Sequence, residues 1–229
     1  MNAVVSAFPL WKRLMDIVLS GVGLIVLFPL FLAIAAIIKI ASPGPAFLRQ
    51  ERIGRHGNPF FLWKFRTMRT GADAGPHQAH LKNLIATNAP MVKLDTKSDP
   101  RVFSFGRILR RSCMDELPQL INVFTGEMSL VGPRPCLTYE AQQYQGWQKR
   151  RFDAMPGLTG LWQVSGKNKT TFTEMIGLDI TYAEGVSLLL DLKILLKTIP
   201  VIVADAMGDA ASGKQSLEGF HRNALRKDA

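Results

Sequence analysis

The chain has 229 residues, enough for about one to one and a half ordinary domains around a buried core and too few for a modular assembly. With 47% apolar and 20% charged residues, 13 Phe and no low-complexity tract, it falls outside the disordered and fibrous classes. Its 28 Lys and Arg against 18 Asp and Glu give a formal charge of +10, which calls for an anionic partner: nucleic acid, a phosphorylated substrate or anionic lipid.

In chain order, the first element is apolar. Ile17 to Ile38 carries no charge over 22 residues, about 33 Å as a helix, just enough to span a bilayer. It is too long for the core of a cleavable signal peptide. Basic residues flank it on both sides, Lys12 and Arg13 before and Lys39, Arg49, Arg52 and Arg55 after, so neither end favours crossing. Pro29 divides the stretch near its middle. A re-entrant hairpin and a simple span both remain open on these observations.

The turn cluster Ser42-Pro43-Gly44-Pro45 marks the start of the rest of the chain, and the division predicted is 1–41, 42–208 and a mobile tail, 209–229. Phe60 to Phe65 reads as a strand, and residues 71–100 as a surface excursion with a short helix over His77–Ala86. Ser112 to Asp115 has the spacing of a capping box, with a helix through Leu117, Leu120, Ile121 and Phe124 closed by Thr125-Gly126. Met128–Val131 predicts a strand running into the rigid turn Gly132-Pro133-Arg134-Pro135. A polar helix is expected over Tyr139–Arg151, a tight turn over Pro156–Gly160, a strand over Leu161–Val164 and a helix over Thr171–Tyr182. Leu188–Ile199, with Lys193 and Lys197 four apart among leucines, fits an interfacial helix or an amphipathic core helix, ended or kinked at Pro200. The whole is α+β and mostly helical, with short strands.

Chemistry concentrates at Asp115-Glu116, preceded by Arg110 and Arg111. Free N–H groups at a helix start, with guanidiniums beside them, suit phosphate oxygens. A carboxylate there can attack phosphorus or hold a divalent metal, and the same residues also suit plain helix capping. Arg134, fixed between two prolines, is a candidate phosphate ligand, and Lys64 and Arg66 would add charge from one strand face. The four histidines form no metal pattern, and Cys113 and Cys136 form neither a CxxC pair nor a zinc set.

The ordered motifs Lys64-Phe-Arg-Thr-Met68, Asp99-Pro-Arg-Val102, Leu109-Arg-Arg-Ser112, Asp115-Glu-Leu-Pro-Gln-Leu-Ile-Asn-Val123, Gly126-Glu-Met-Ser-Leu-Val-Gly-Pro-Arg-Pro135, Pro156-Gly-Leu-Thr-Gly160 and Gln163-Val-Ser-Gly-Lys-Asn168 resemble the bacterial sugar transferase family, the monotopic polyprenyl-phosphate phosphoglycosyl transferases. The resemblance runs from about Lys12 to Pro200 and points to the short form, most similar to the hexose-1-phosphate transferases of exopolysaccharide synthesis.

It implies transfer of a hexose-1-phosphate from a UDP-sugar, galactose or glucose, to undecaprenyl phosphate, with release of UMP. It also implies a re-entrant N-terminal membrane helix broken at Pro29, and a small catalytic domain on the cytoplasmic face of the inner membrane. By the same resemblance Asp115 is the nucleophile and a Mg2+ ligand, and Glu116 completes the acidic pair. Arg110, Arg111, Arg134, Lys64 and Arg66 meet the donor's phosphates, and Asp179 belongs to the polar site. Membrane lipids are implied partners, nucleic acid is not, and a homodimer is open. The alternative, a membrane-tethered basic binding or scaffold protein without catalysis, rests on composition alone.

Overall fold

The computed structural model describes residues 8–71, 75–92 and 99–207. The apolar stretch forms α1, Leu10–Ala41, one helix of 32 residues with Pro29 inside it. It is the one described helix long and apolar enough to cross a membrane.

Its residues do not distribute evenly round the axis. Lys12, Asp16, Ser20, Leu24, Leu27, Phe31, Ile34 and Ile38 recur at steps of three and four, and this stripe lies against the remainder of the protein. Leu14, Val18, Val22, Ile25 and Leu32 on the other faces stay exposed. At the N-terminal end the stripe is polar and well partnered. Lys12 Nζ donates to the carbonyl of Val131 (2.9 Å) and the hydroxyl of Tyr182 (3.0 Å) and ion-pairs with Asp191. Asp16 Oδ1 accepts from the Leu130 amide (2.8 Å) and the Ser129 hydroxyl (3.1 Å). At the other end it is apolar: Phe31 meets Phe65 with ring centroids 5.4 Å apart, and Ile34 and Ile38 are buried beside Phe103 and Leu109. Both ends of α1 therefore rest on one body.

β1, Phe47–Ile53, and β2, Pro59–Phe65, form an antiparallel hairpin with Leu48 opposite Lys64 and Arg52 opposite Phe60. The free edge of β2 is satisfied by one side chain. Asn122 accepts from the Trp63 amide (2.9 Å) and donates to the Phe61 carbonyl (2.8 Å), as a neighbouring strand would.

After α2, Gly75–Thr87, and α3, Ser104–Arg111, a 3-10 turn over Met114–Glu116 precedes α4, Gln119–Thr125. Here the sequence expectation needs correction. Ser112 does not open a helix; it closes α3, its hydroxyl donating back to the Ile108 carbonyl at 3.0 Å. Pro118 keeps the Asp115 turn separate from α4, because proline supplies no amide to carry the ladder on. Gly126, at φ 91°, ends α4 as predicted.

β3, Ser129–Val131, pairs in parallel with β4, Gly157–Thr159, so the predicted turn at Pro156–Gly160 contains a strand. The expected long polar helix is two pieces, α5, Thr138–Ala141, and a 3-10 stretch over Gly146–Asp153. Leu161–Val164 is a helical turn, α6, and not a strand. A four-residue apolar run has no period of its own, and burial of Trp162, whose indole donates to Thr170 Oγ1 (2.6 Å), decides the outcome.

The helix expected over Thr171–Tyr182 is α7, Phe172–Glu184, capped by Thr171 with Glu174 in a reciprocal box. α8, Leu188–Met207, continues through Pro200. The predicted tail, 209–229, and residues 93–98 of the excursion lie outside the described residues.

Candidate active site

The hairpin, the Met114–Glu116 turn and the Gly132–Pro135 turn converge on an open cleft lined by Arg52, Leu62, Lys64, Glu116, Gln119, Arg134, Pro135, Gly157 and Leu158. The position of each group follows from its element. Lys64 projects from near the end of β2 on the face shared with Phe60 and Leu62, and Arg52, opposite Phe60, from the same face toward the other end of the hairpin. Glu116 stands on the 3-10 turn, which begins after Cys113 in a left-handed conformation (φ 56°). Arg134 sits on the double-proline turn. That turn lies so close to the chain before β4 that a Cβ on Gly132 would come within 2.1 Å of the Met155 carbonyl, so only glycine fits there.

Electrostatically the cleft is unbalanced. Arg134 Nη1 lies 3.4 Å from Glu116 Oε1, a partly exposed pair. Arg52 is buried; its Nη1 donates to the Pro135 carbonyl (3.0 Å) and its Nη2 to Gln50 Oε1 (2.8 Å). Among the described residues neither Arg52 nor Lys64 has an ion-pair partner. Burial pushes Lys64 down to about 8, helped by the charge of Arg52 and opposed by Glu116 and, more weakly, Asp115. Burial likewise lowers Arg52, to about 10, with Arg134 the next cause. Three cations, one of them buried, around one lining carboxylate leave a surplus of positive charge, and such a site is relieved by a multiply charged anion.

The other candidates are placed variously. Asp115 is partly buried on the same turn as Glu116 and close enough to act on the charge of Lys64. Arg110 and Arg111 end α3, and Arg110 Nε donates to Thr67 Oγ1 at 3.0 Å. Lys64 and Arg66 do not act together, because Arg66 is bonded to the Ser42–Pro45 segment and does not line the cleft. Arg66 is buried, donating to the Ser42 hydroxyl (2.9 Å) and carbonyl (2.7 Å), and ties the hairpin to the end of α1. Asp179, on α7, is buried against Arg151, with Nη2 and Oδ2 2.6 Å apart, and does not line the cleft; burial raises its carboxyl to about 6. Arg52, Gln119 and Arg151 escaped the sequence reading. Arg52 stands opposite Phe60, on the strand face that carries Lys64, and that register is the signal that would have found it.

A family model described as bacterial sugar transferase matches residues 7–205. The exopolysaccharide production protein ExoY of Sinorhizobium fredii is 39% identical over 191 residues, 83% of this chain and 84% of that protein. A UDP-glucose:undecaprenyl-phosphate glucose-1-phosphate transferase of Caulobacter vibrioides is 42% identical over 205 residues, 86% of this chain and 71% of its own length. The undecaprenyl-phosphate galactose phosphotransferase of Salmonella typhimurium is 39% identical over 198 residues, covering 84% of this chain and 40% of the larger protein.

Proposed function

This chain belongs to the bacterial sugar transferase family and is a phosphoglycosyl transferase, and we propose the course of its reaction as follows. A hexose-1-phosphate, galactose or glucose, passes from a UDP-sugar to undecaprenyl phosphate as the first step of an exopolysaccharide or related glycan. The observation that carries this reading is the cleft, where Lys64, Arg52 and Arg134 surround Glu116 beside Asp115 with positive charge in excess.

In the first step a carboxylate oxygen of Asp115 bonds to the sugar-bearing phosphorus. The bond from that phosphorus to the bridging oxygen breaks, and UMP leaves with the electron pair. In the second, an oxygen of undecaprenyl phosphate attacks the same phosphorus, giving the lipid diphosphate sugar and freeing Asp115. Arg134 and Lys64 stabilise charge on the transferring phosphoryl group, with Arg110 and Arg111 completing the phosphate contacts.

Among the described residues no three His, Cys, Asp or Glu form a metal cluster. Asp115 and Glu116 are hard oxygen donors, and one or two carboxylates with substrate phosphates and water are the usual Mg2+ set. Mg2+ held there would neutralise the pyrophosphate.

The membrane helix is re-entrant in this proposal, with both ends on the cytoplasmic face of the inner membrane. Support comes from the buried stripe of α1, which keeps Lys12 and Ile38 on one body on either side of Pro29, and from the basic flanks. α8 lies at the interface, with Leu188, Leu189, Leu192, Leu196 and Ile199 exposed to lipid and Lys193 and Lys197 reaching the headgroups.

The test is UMP release from a panel of UDP-sugars by the full chain in nanodiscs with Mg2+, with and without undecaprenyl phosphate. Release that needs one UDP-sugar, the lipid and Asp115 is expected. Full turnover by Asp115→Asn would remove Asp115 as the nucleophile, and no release with any donor from folded protein would remove the reaction.

A further inference from the structure

The turn that carries Arg134 shows an unusual completeness of backbone bonding. Pro133 and Pro135 have no amide to donate, so the turn is held through its carbonyls. That of Pro133 accepts from the Gly157 amide (2.8 Å), that of Arg134 from Arg151 Nη2 (2.7 Å), that of Pro135 from Arg52 Nη1 (3.0 Å) and that of Cys136 from the Ile53 amide (3.0 Å). Four successive carbonyls are thus occupied, two of them by buried arginines.

The two arginines differ in surroundings. Arg52 lines the cleft; Arg151 does not, and lies fully buried on the other side of the turn. Its Nη2 meets both the Arg134 carbonyl and Asp179 Oδ2, while Nη1 donates to the Tyr144 hydroxyl and stands 3.8 Å from Glu140. Tyr144 in turn donates to Glu140 at 2.6 Å. A buried ion pair is a weak source of stability compared with apolar side chains of the same volume. What the rigid guanidinium fork supplies is direction, because one nitrogen is held between a fixed carboxylate and the carbonyl of the residue that faces the cleft.

We propose that Arg151, held by Asp179 on α7, is a positioning residue for Arg134, fixing its backbone so that its guanidinium meets the donor's phosphate without reorganising. The proposal rests on the reading of the cleft given above, in which Arg134 binds that phosphate. It gives Asp179 a part in the reaction that needs no contact with substrate.

A double-mutant cycle on the full chain in nanodiscs separates positioning from mere structural support. Arg151→Lys keeps the charge and its pairing with Asp179 but loses the fork. In the wild-type background it should lower kcat/KM for the UDP-sugar by about tenfold to a hundredfold, the scale of a misplaced catalytic contact. In an Arg134→Ala background the same change should have little further effect, because a residue that acts through Arg134 has nothing left to act on.

Asp179→Asn, which keeps the shape, should show the same dependence on Arg134, so the test survives if Arg151→Lys fails to fold. Equal factors in both backgrounds, for whichever variants fold, would overturn the inference while leaving the reaction intact. So would an unchanged kcat/KM in both variants alongside a lowered melting temperature. Absence of UMP release from the wild-type chain would remove the reading of the cleft and this inference with it.

Discussion

The protein buries charge in two ways, and the contrast separates architecture from chemistry. At the junction of α1 with the rest of the protein, Lys12 finds Asp191, the Tyr182 hydroxyl and the Val131 carbonyl, so each of its three donor hydrogens has a partner. In the cleft, Arg52 is also buried and Lys64 half-buried, yet among the described residues no carboxylate forms an ion pair with either. A buried charge that is matched holds elements together; one left unmatched is a standing demand for a ligand of the opposite sign. The two regions should therefore respond oppositely to the loss of a cation.

The largest stability effect is expected at the junction. Lys12→Met leaves Asp191 buried and unpaired and should destabilise the fold by about 3–5 kcal/mol. The double variant Lys12→Met with Asp191→Leu should recover much of that loss, since it removes both charges. Thermal unfolding in nanodiscs reads both. If the single variant unfolds at the wild-type temperature, the junction is not held by a matched pair.

Lys64→Met should do the reverse. The folded state holds Lys64 near 8, below the ordinary lysine value of 10.5, so the unfolded chain binds its proton more tightly and the charge opposes folding below that range. Removing it should leave the melting temperature unchanged or raise it by about 2–4 °C, while donor kcat/KM falls at least tenfold. A variant that unfolds earlier and keeps its donor affinity would place Lys64 with the structural charges.

The same shift gives a pH signature. Lys64 is protonated below about 8 and loses its charge as pH rises through that value, so donor kcat/KM should decline above pH 8. A bound phosphate favours the protonated form, and kcat at saturating donor should hold to higher pH. Lys64→Arg, which keeps its charge throughout this range, should lack the decline. Persistence of the decline in Lys64→Arg would assign it to another group.

How far the sequence foretold this division follows the range of the interactions. Local signals were legible: the aromatic run of β2, the helix beginning at Thr171, Gly126 at the end of α4, and the acidic pair beside its arginines. The partners were not. Lys12, Asp16 and Ser20 stand four apart at the head of an apolar run, and read locally they are a membrane flank. The role of Lys12 and Asp16 depends on Ser129, Tyr182 and Asp191, more than a hundred positions away. β4 is hidden by the prolines and glycines around it, since turn chemistry and a three-residue strand compete for the same residues. Ser112 misled because a hydroxyl that caps the next helix can equally bond back into the last one.

The smallest predicted effect tests whether the two regions are mechanically linked. α7 carries Tyr182, which meets Lys12, and Asp179, which holds Arg151 behind the cleft, three residues apart on one helix. Thr171 caps that helix by accepting from the Glu174 amide at 3.3 Å, so Thr171→Ala should cost about 1 kcal/mol of stability. The cap is a full two turns from Asp179, and fraying of a first turn does not propagate that far when the residues beyond it are buried. Donor kcat/KM should therefore stay within about twofold of the wild-type value while the melting temperature drops. A fall in kcat/KM larger than the change in stability explains would show that α7 transmits disorder from its cap into the cleft, joining the matched and unmatched charges into one cooperative unit.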